Sequence, residues 1–405
     1  MAFSDTQTDT FQGPFDIPVI REWLWNLRAR FGHPSVDLAL VFVSPSFTEH
    51  SGLLLSLIQD ELSPTLVAGC TSISLISNAH EYENAKGFAI GLYHLPGTQL
   101  TSQTFSQADV QRGQSTNYWH ELCDVAQPNG WIVFADPFKM NLEVWLRHWN
   151  QAFPGIPTLG GLASGTPDMN GTEIYLNDQV YSQGGVGIAF TGSVSIRSVI
   201  SQGCTPIGDP GIVTKVSENR IAEIGNRRAY DVLLETVNNL PPTMAAQARG
   251  NLFLGLVIDE YHEDFHRGDF LVRNLLGADP DGGIVSVGAL PRPGQTVQFQ
   301  LRSPEAARQD LTTLLEAKHT TLKGEHIHGG LLCTCNGRGQ RLFGTPNHDS
   351  GAVIDTFPDT GLVGFFCNGE LGPVGDQNFL HGYTASLALF TSPRTPSQTP
   401  SPEQP

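Results

Sequence analysis

The sequence predicts an α/β protein of mixed α+β type, built as two α/β modules with mixed β-sheets packed together and helices outside. Three observations carry this reading. Short apolar runs of strand length recur along the chain, as in Leu38–Val43 (LALVFV) and Trp131–Ala135 (WIVFA). They alternate with stretches of helical spacing. The length of 405 residues exceeds one typical core, while 43 glycines and 27 prolines imply many turns. Neighbouring runs close enough to pair antiparallel favour mixed sheets over purely parallel ones.

Taken in order, residues 1–18 are polar and read as a flexible N-terminus. Leu38–Val43 is a buried strand, Leu53–Ile58 lies in a helix, and Leu66–Ala68 is a strand ending in Gly69-Cys70-Thr71. Gly87–Tyr93 alternates as a strand does, and Trp131–Ala135 is a further buried strand. Asn141 caps a helix whose core stripe is Leu142, Trp145, Leu146 and Trp149. Leu159–Gly165 (LGGLASG) and a strand at Gly185–Phe190 close the first module, residues 19–194. The second module, residues 195–391, opens with Ile221 and Ile224 before a helix bearing Ala229, Val232, Leu233 and Val237. Leu252–Ile258 is a strand, and Ser303-Pro304 starts a helix with Ala307, Leu311, Leu314 and Leu315 on one face. Residues 392–405 (SPRTPSQTPSPEQP) cannot bury a core and read as a disordered tail.

A net charge of -17 with only five lysines argues against nucleic acid or an anionic membrane as a partner. No apolar run reaches the roughly 18 residues of a membrane span, and the N-terminus lacks the pattern of a signal peptide. Six cysteines in so long a chain read as reduced thiols, which makes the expected location cytoplasmic. Phosphate-loop, dinucleotide, zinc-protease and nucleophile-elbow motifs are all missing from the sequence.

The chemistry concentrates between Gly329 and Phe390. There GGLLCTCNGRG, FFCNGELGPVG and FLHGYTASLALF each run from apolar residues into a glycine-rich turn with functional groups. Strands that deliver such loops to one place are the usual construction of a small-molecule site. Arg338 suits a carboxylate, Glu370 an ammonium, and Asn368 either, so together they fit a zwitterion such as an amino acid. The plainer alternative is that Arg338 and Glu370 pair with each other. Cys335, Asn336, His381 and Tyr383 complete the candidate ligand wall. A second reading makes Cys335 a nucleophile with His381 as base and Glu370 as orienting carboxylate, a cysteine-dependent hydrolase or acyl transferase.

Metal binding fares worse. In a regular strand His326 and His328 face one side while Cys333 and Cys335 face the other, and a tetrahedral site needs both pairs together unless Gly329-Gly330 is bulged. Neither a metal nor a cofactor is expected.

Cys335-Asn336-Gly337-Arg338-Gly339, Gly364–Gly372 (GFFCNGELG) and His381-Gly382-Tyr383-Thr384 resemble the C-terminal module of the FIST family (F-box and intracellular signal transduction). Gly203–Gly208 (GCTPIG), Val213-Thr214 and the helix entered through Ile221–Ala229 resemble it too, while Gly69-Cys70-Thr71 and Gly160-Gly161-Leu162-Ala163 are similar to the N-terminal module. The similarity extends over most of residues 35–390. It implies a sensory module that binds a small ligand without catalysis, above these turns or between two related halves, and passes a signal to a separate protein partner. One departure is Ser164-Gly165, where family members often carry Gly-Asp.

Overall fold

Alternation within the central strands sets the layering. The computed structural model describes residues 4–165, 171–261 and 265–394. In the strand Leu38–Val43, Leu38, Leu40 and Phe42 enter one core while Ala39, Val41 and Val43 pack under helices on the other face. The strand Gly130–Ala135 repeats this: Ile132 and Phe134 join the same inner core, and Trp131, Val133 and Ala135 meet the tryptophan-rich helix Leu142–Ala152. A six-residue strand buried on both faces reads as a continuous apolar run, as both do.

Two compact units result: residues 1–200 with 313–405, and residues 201–312. The first holds three copies of one pattern. Copy one runs β1 (Thr6–Gln12), α1 (Ile17–Phe31), β2 (Leu38–Val43), α2 (Ser51–Leu62), β3 (Val67–Thr71), the hairpin β4 (Leu75–Ser77) to β5 (His80–Tyr82), and β6 (Gly87–Tyr93). Copy two runs β7 (Thr98–Phe105), α3 (Gln107–Arg112), α4 (Thr116–Cys123), β8 (Gly130–Ala135), α5 (Leu142–Ala152), β9 (Thr158–Leu162), the hairpin β10 (Ile174–Leu176) to β11 (Gln179–Tyr181), and β12 (Gly185–Gly192). Copy three opens with β13 (Ser195–Ser201).

Here the chain makes its second unit: β14 (Cys204–Ser217), β15 (Arg220–Ile224), β16 (Arg227–Arg228), α6 (Ala229–Asn238), α7 (Pro242–Ala248), β17 (Leu252–Val257), β18 (Phe270–Asp279), β19 (Ile284–Val287) and β20 (Thr296–Arg302). These strands form one sheet in the order β14-β20-β17-β18-β19-β15-β16, over a core that includes Ile207, Val213, Leu254 and Phe299. Copy three then resumes with α8 (Pro304–Thr321), β21 (Glu325–Cys335), α9 (Gln340–Phe343), α10 (His348–Thr356), β22 (Leu362–Cys367), the hairpin β23 (Glu370–Val374) to β24 (Gln377–His381), and β25 (Ala385–Pro393).

The three sheets of the first unit share one order: β1-β6-β2-β3-β10-β11, β7-β12-β8-β9-β23-β24, and β13-β25-β21-β22-β4-β5. In each, one parallel pair (β2–β3, β8–β9, β21–β22) sits at the centre, flanked by antiparallel neighbours. The hairpins are exchanged in a cycle: the one after β3 joins β22, the one after β9 joins β3, and the one after β22 joins β9. Inner faces of all three sheets meet in one core containing Phe42, Phe134, Leu331 and Phe365.

The mixed sheets and outer helices agree with the sequence reading, while the two compact units are not the two expected modules. The boundaries differ. A break at 194/195 falls between β12 and β13, whereas residues 313–393 belong with the N-terminal strands, because β22 and β23 hydrogen-bond to β4 and β9. Nor do the described residues 4–18 form a flexible arm. Thr6–Gln12 pairs along its length with β6, and Asp16 caps α1 through the Val19 amide. Of the expected tail, Ser392 and Pro393 end β25, and residues 395–405 lie outside the described residues. Among the described residues, no helix is long and apolar enough to cross a membrane.

Candidate functional site

The carboxyl ends of β3, β9, β21 and β22 converge, and backbone groups stitch them together. The Ser164 amide donates to the Thr71 carbonyl (3.0 Å), the Asn368 amide to Leu162 (3.1 Å), and the Asn336 amide to Cys367 (3.1 Å). The hydroxyls of Ser72 and Ser164 both donate to the Phe366 carbonyl, at 2.8 and 2.7 Å, and Ser164 Oγ accepts the Ile73 amide. Ser164, the departure from the family pattern, is thus a buried strut between strand ends. Parallel strands leave their C-terminal carbonyls and following loops at one edge, which is where ligands bind in many α/β proteins.

Beneath this junction lies a buried charged frame. Arg338 is 1% exposed and makes a two-pronged ion pair with Asp349, Nε to Oδ2 at 2.6 Å and Nη2 to Oδ1 at 2.9 Å. Its Nη1 donates to the Tyr383 carbonyl at 3.3 Å, and its guanidinium lies 5.2 Å from the Phe343 ring centroid. Thr334 Oγ1 also donates to Asp349, at 2.8 Å. Burial alone would raise the Asp349 carboxyl, but the guanidinium, its hydrogen bonds and His348 hold it well below the ordinary carboxylate range. Asp349 stands in the first turn of α10, where Glu81 Oε1 accepts the amides of Asp349 and Ser350. Burial, then the nearby Asp349 charge, pushes Glu81 up to about 7.

Glu370 is completely buried, opposite Gly161 on one side and His381 on the other. Its carboxyl accepts from Cys367 Sγ (3.1 Å) and the Thr384 amide (3.0 Å), and it also bonds with the Cys335 side chain. Burial pushes it up to about 8, so near neutral pH the group is held largely protonated. His381 is buried, with Nε2 3.0 Å from the Gly372 carbonyl.

The predicted residues therefore separate into two layers. Arg338 and Glu370 are neither open to a zwitterion nor each other's main partner, because Arg338 is saturated by Asp349 and Glu370 by thiols and a backbone amide. What faces outward is uncharged. Cys335, Asn336 and Tyr383 are half-buried, and Asn368 is exposed. Asn336 Nδ2 donates to Asn368 Oδ1 (2.9 Å), and Asn368 Nδ2 donates to the Ala163 carbonyl (3.1 Å). Tyr383 holds a left-handed backbone, φ 62°, which turns its carbonyl to Arg338. Cys335 Sγ accepts the Gly337 amide at 3.4 Å, whereas Cys333 is buried in the inner core.

Asp349, Glu81 and Ser72 escape the sequence reading. Asp349 did leave a trace, as an acid in the first turn after the Asn347 start of a helix.

The profile of the FIST N domain matches residues 37–227, and that of the FIST C domain matches residues 229–373. An uncharacterized protein of Mycobacterium tuberculosis is 36% identical over 353 residues, 87% of this chain and 91% of the relative. An uncharacterized protein of Mycobacterium bovis is 33% identical over 354 residues, covering 87% and 90%. An F-box/LRR-repeat protein of Arabidopsis thaliana is 30% identical over 139 residues, 30% of this chain and 26% of that protein.

Proposed function

The chain belongs to the FIST family, whose domains are associated with signal transduction, and from that premise we propose that it is a non-catalytic sensor of a small polar ligand. The observation that supports this most is the two-layer site: a rigid buried frame beneath a rim of side-chain amides, a thiol and a tyrosine. Rims held by locked neighbours lose little freedom on binding. Asn336, Asn368, Cys335 and Tyr383 contact the ligand in this reading, while Arg338, Glu370 and His381 shape the floor. Amides both donate and accept, so amino acids and related carboxylates are the first class to test. The signal passes to a separate protein partner if the ligand binds two states of the chain unequally. Six free thiols suit work in the cytoplasm.

Thermal-shift and calorimetric titration with such a panel tests the reading. At least one member raises the melting temperature, and Asn368→Ala, at an exposed position, weakens it about tenfold by removing about 1–1.5 kcal/mol of hydrogen bonding. Silence across the panel, with no small molecule retained in native mass spectrometry, overturns it.

One observation favours a second reading. Cys335 is accessible, receives a backbone amide, and bonds to Glu370, as a nucleophile with a carboxyl neighbour would. Alkylation rates across pH separate the two. The sensor reading expects Cys335 to react as an ordinary thiol titrating near ~8.5, whereas a reactivity plateau extending below about pH 7 makes it a hydrolase or acyl transferase.

A further inference from the structure

We propose that Asp5, His326 and His328 bind one divalent first-row transition ion of the zinc class, at a site separate from the strand-end cluster. Asp5 Oδ2 lies 2.6 Å from His326 Nε2 and 2.9 Å from His328 Nδ1. The two rings stand nearly perpendicular, at 87° with centroids 4.7 Å apart, so different nitrogens meet at one oxygen from different directions. The three candidate ligand atoms lie within 4.8 Å of one another, close enough to share one cation, while His33 Nε2 stands 3.5 Å from the other carboxylate oxygen, Oδ1. Two imidazoles and a carboxylate are a zinc or ferrous donor set that leaves positions open.

The surroundings are built to hold these groups. A register shift between Ile327 and Gly329 interrupts the β21–β25 ladder at His328, whose carbonyl accepts from the Thr6 hydroxyl. His328 Nε2 is 2.8 Å from Ser392 Oγ, the outer contact that orients a metal-ligating imidazole. The Asp5 carbonyl accepts the His94 amide, and β1 begins at the next residue, so the carboxylate is anchored. Metal bonds of about 2.0–2.1 Å place tetrahedral ligand atoms roughly 3.3 Å apart, so the present spacing needs only small side-chain rotations to admit an ion. Asp5 and His326 also line a cleft of about 980 Å³ with Lys323, Glu325, Asp359 and Arg394. The ion's open positions would face that cleft.

Chelator-treated, untagged full-length protein, titrated with Zn²⁺ by calorimetry and with Co²⁺ by visible absorption, tests the site. The expected result is one ion per chain. His326→Ala and Asp5→Asn each weaken binding at least about 100-fold, and Ser392→Ala weakens it about tenfold. His326 is about one-third exposed, and unchanged circular dichroism confirms that its variant folds. The proposal fails if neither heat nor a cobalt band is seen, or if binding is indifferent to these three variants.

Discussion

Arg338→Ala lowers the stability of the chain by about 3–5 kcal/mol, read as a shift of the urea midpoint at constant slope. The loss comes less from attraction forgone than from what remains. Asp349 is left 1% exposed without the guanidinium that holds it ionised, with Thr334 and His348 as its remaining side-chain partners, and the Tyr383 carbonyl loses a donor. Replacing both partners by apolar residues of similar volume, Arg338→Met with Asp349→Leu, recovers most of the loss, because no charge is then buried alone. Acid has a defined effect. Asp349 is held below its ordinary 3.8, so its contribution is complete above that pH and disappears only as pH falls further. If Arg338→Ala instead costs less than about 1 kcal/mol, the guanidinium is reaching solvent and the two-layer description of the site is wrong.

The same residue shows where sequence reasoning stops. Arg338 and Glu370 are recognisable from glycine-rich turns at strand ends, and both do lie at the converging ends. Their partners are not recognisable. Asp349 is eleven residues from Arg338, at the start of a helix that the sequence reading did not identify. His326 and His328 share a face as alternation requires, but their third group, Asp5, is 321 residues from His326 in a segment whose polarity suggests no structure. That segment is ordered because Thr6, Thr8 and Phe11 are buried and β6 supplies its ladder, a tertiary effect that composition does not reveal. Buried strands such as β2 and β8, and the tryptophan stripe of α5, were legible because burial on a regular element leaves a period. The threefold pattern left none, since each exchanged hairpin pairs with a copy other than its own. One trace in sequence is a residue per turn in left-handed backbone: Asn78, Asn177 and Gly375, with φ of 49°, 54° and 59°.

A second threefold residue set gives the largest expected effect. Gly69, Gly160 and Gly364 occupy the same place in β3, β9 and β22, opposite Val41, Val133 and Leu332 of the parallel neighbours. A Cβ at these positions would lie 1.7, 2.0 and 2.0 Å from the carbonyl oxygens of those three residues. A flexible side chain could retreat, but a ladder carbonyl cannot move without breaking the parallel pair at the centre of its sheet. Each glycine-to-alanine change therefore costs more than about 3 kcal/mol, beyond the usual overpacking range, measured by urea unfolding or by loss of soluble protein. Gly160→Ala is the worst of the three, since φ of +134° adds backbone strain to the clash. Gly351→Ala, in α10 with open space around it, is the control and stabilises by up to about 1 kcal/mol through helix propensity. Comparable losses at Gly69 and Gly364, which lie in different copies of the pattern, would identify the three central pairs as mechanically equivalent. A tolerated alanine at either one would mean that its parallel pair is held less closely, and that the strand ends carrying Ser72, Ser164 and Asn368 are not fixed by a common device.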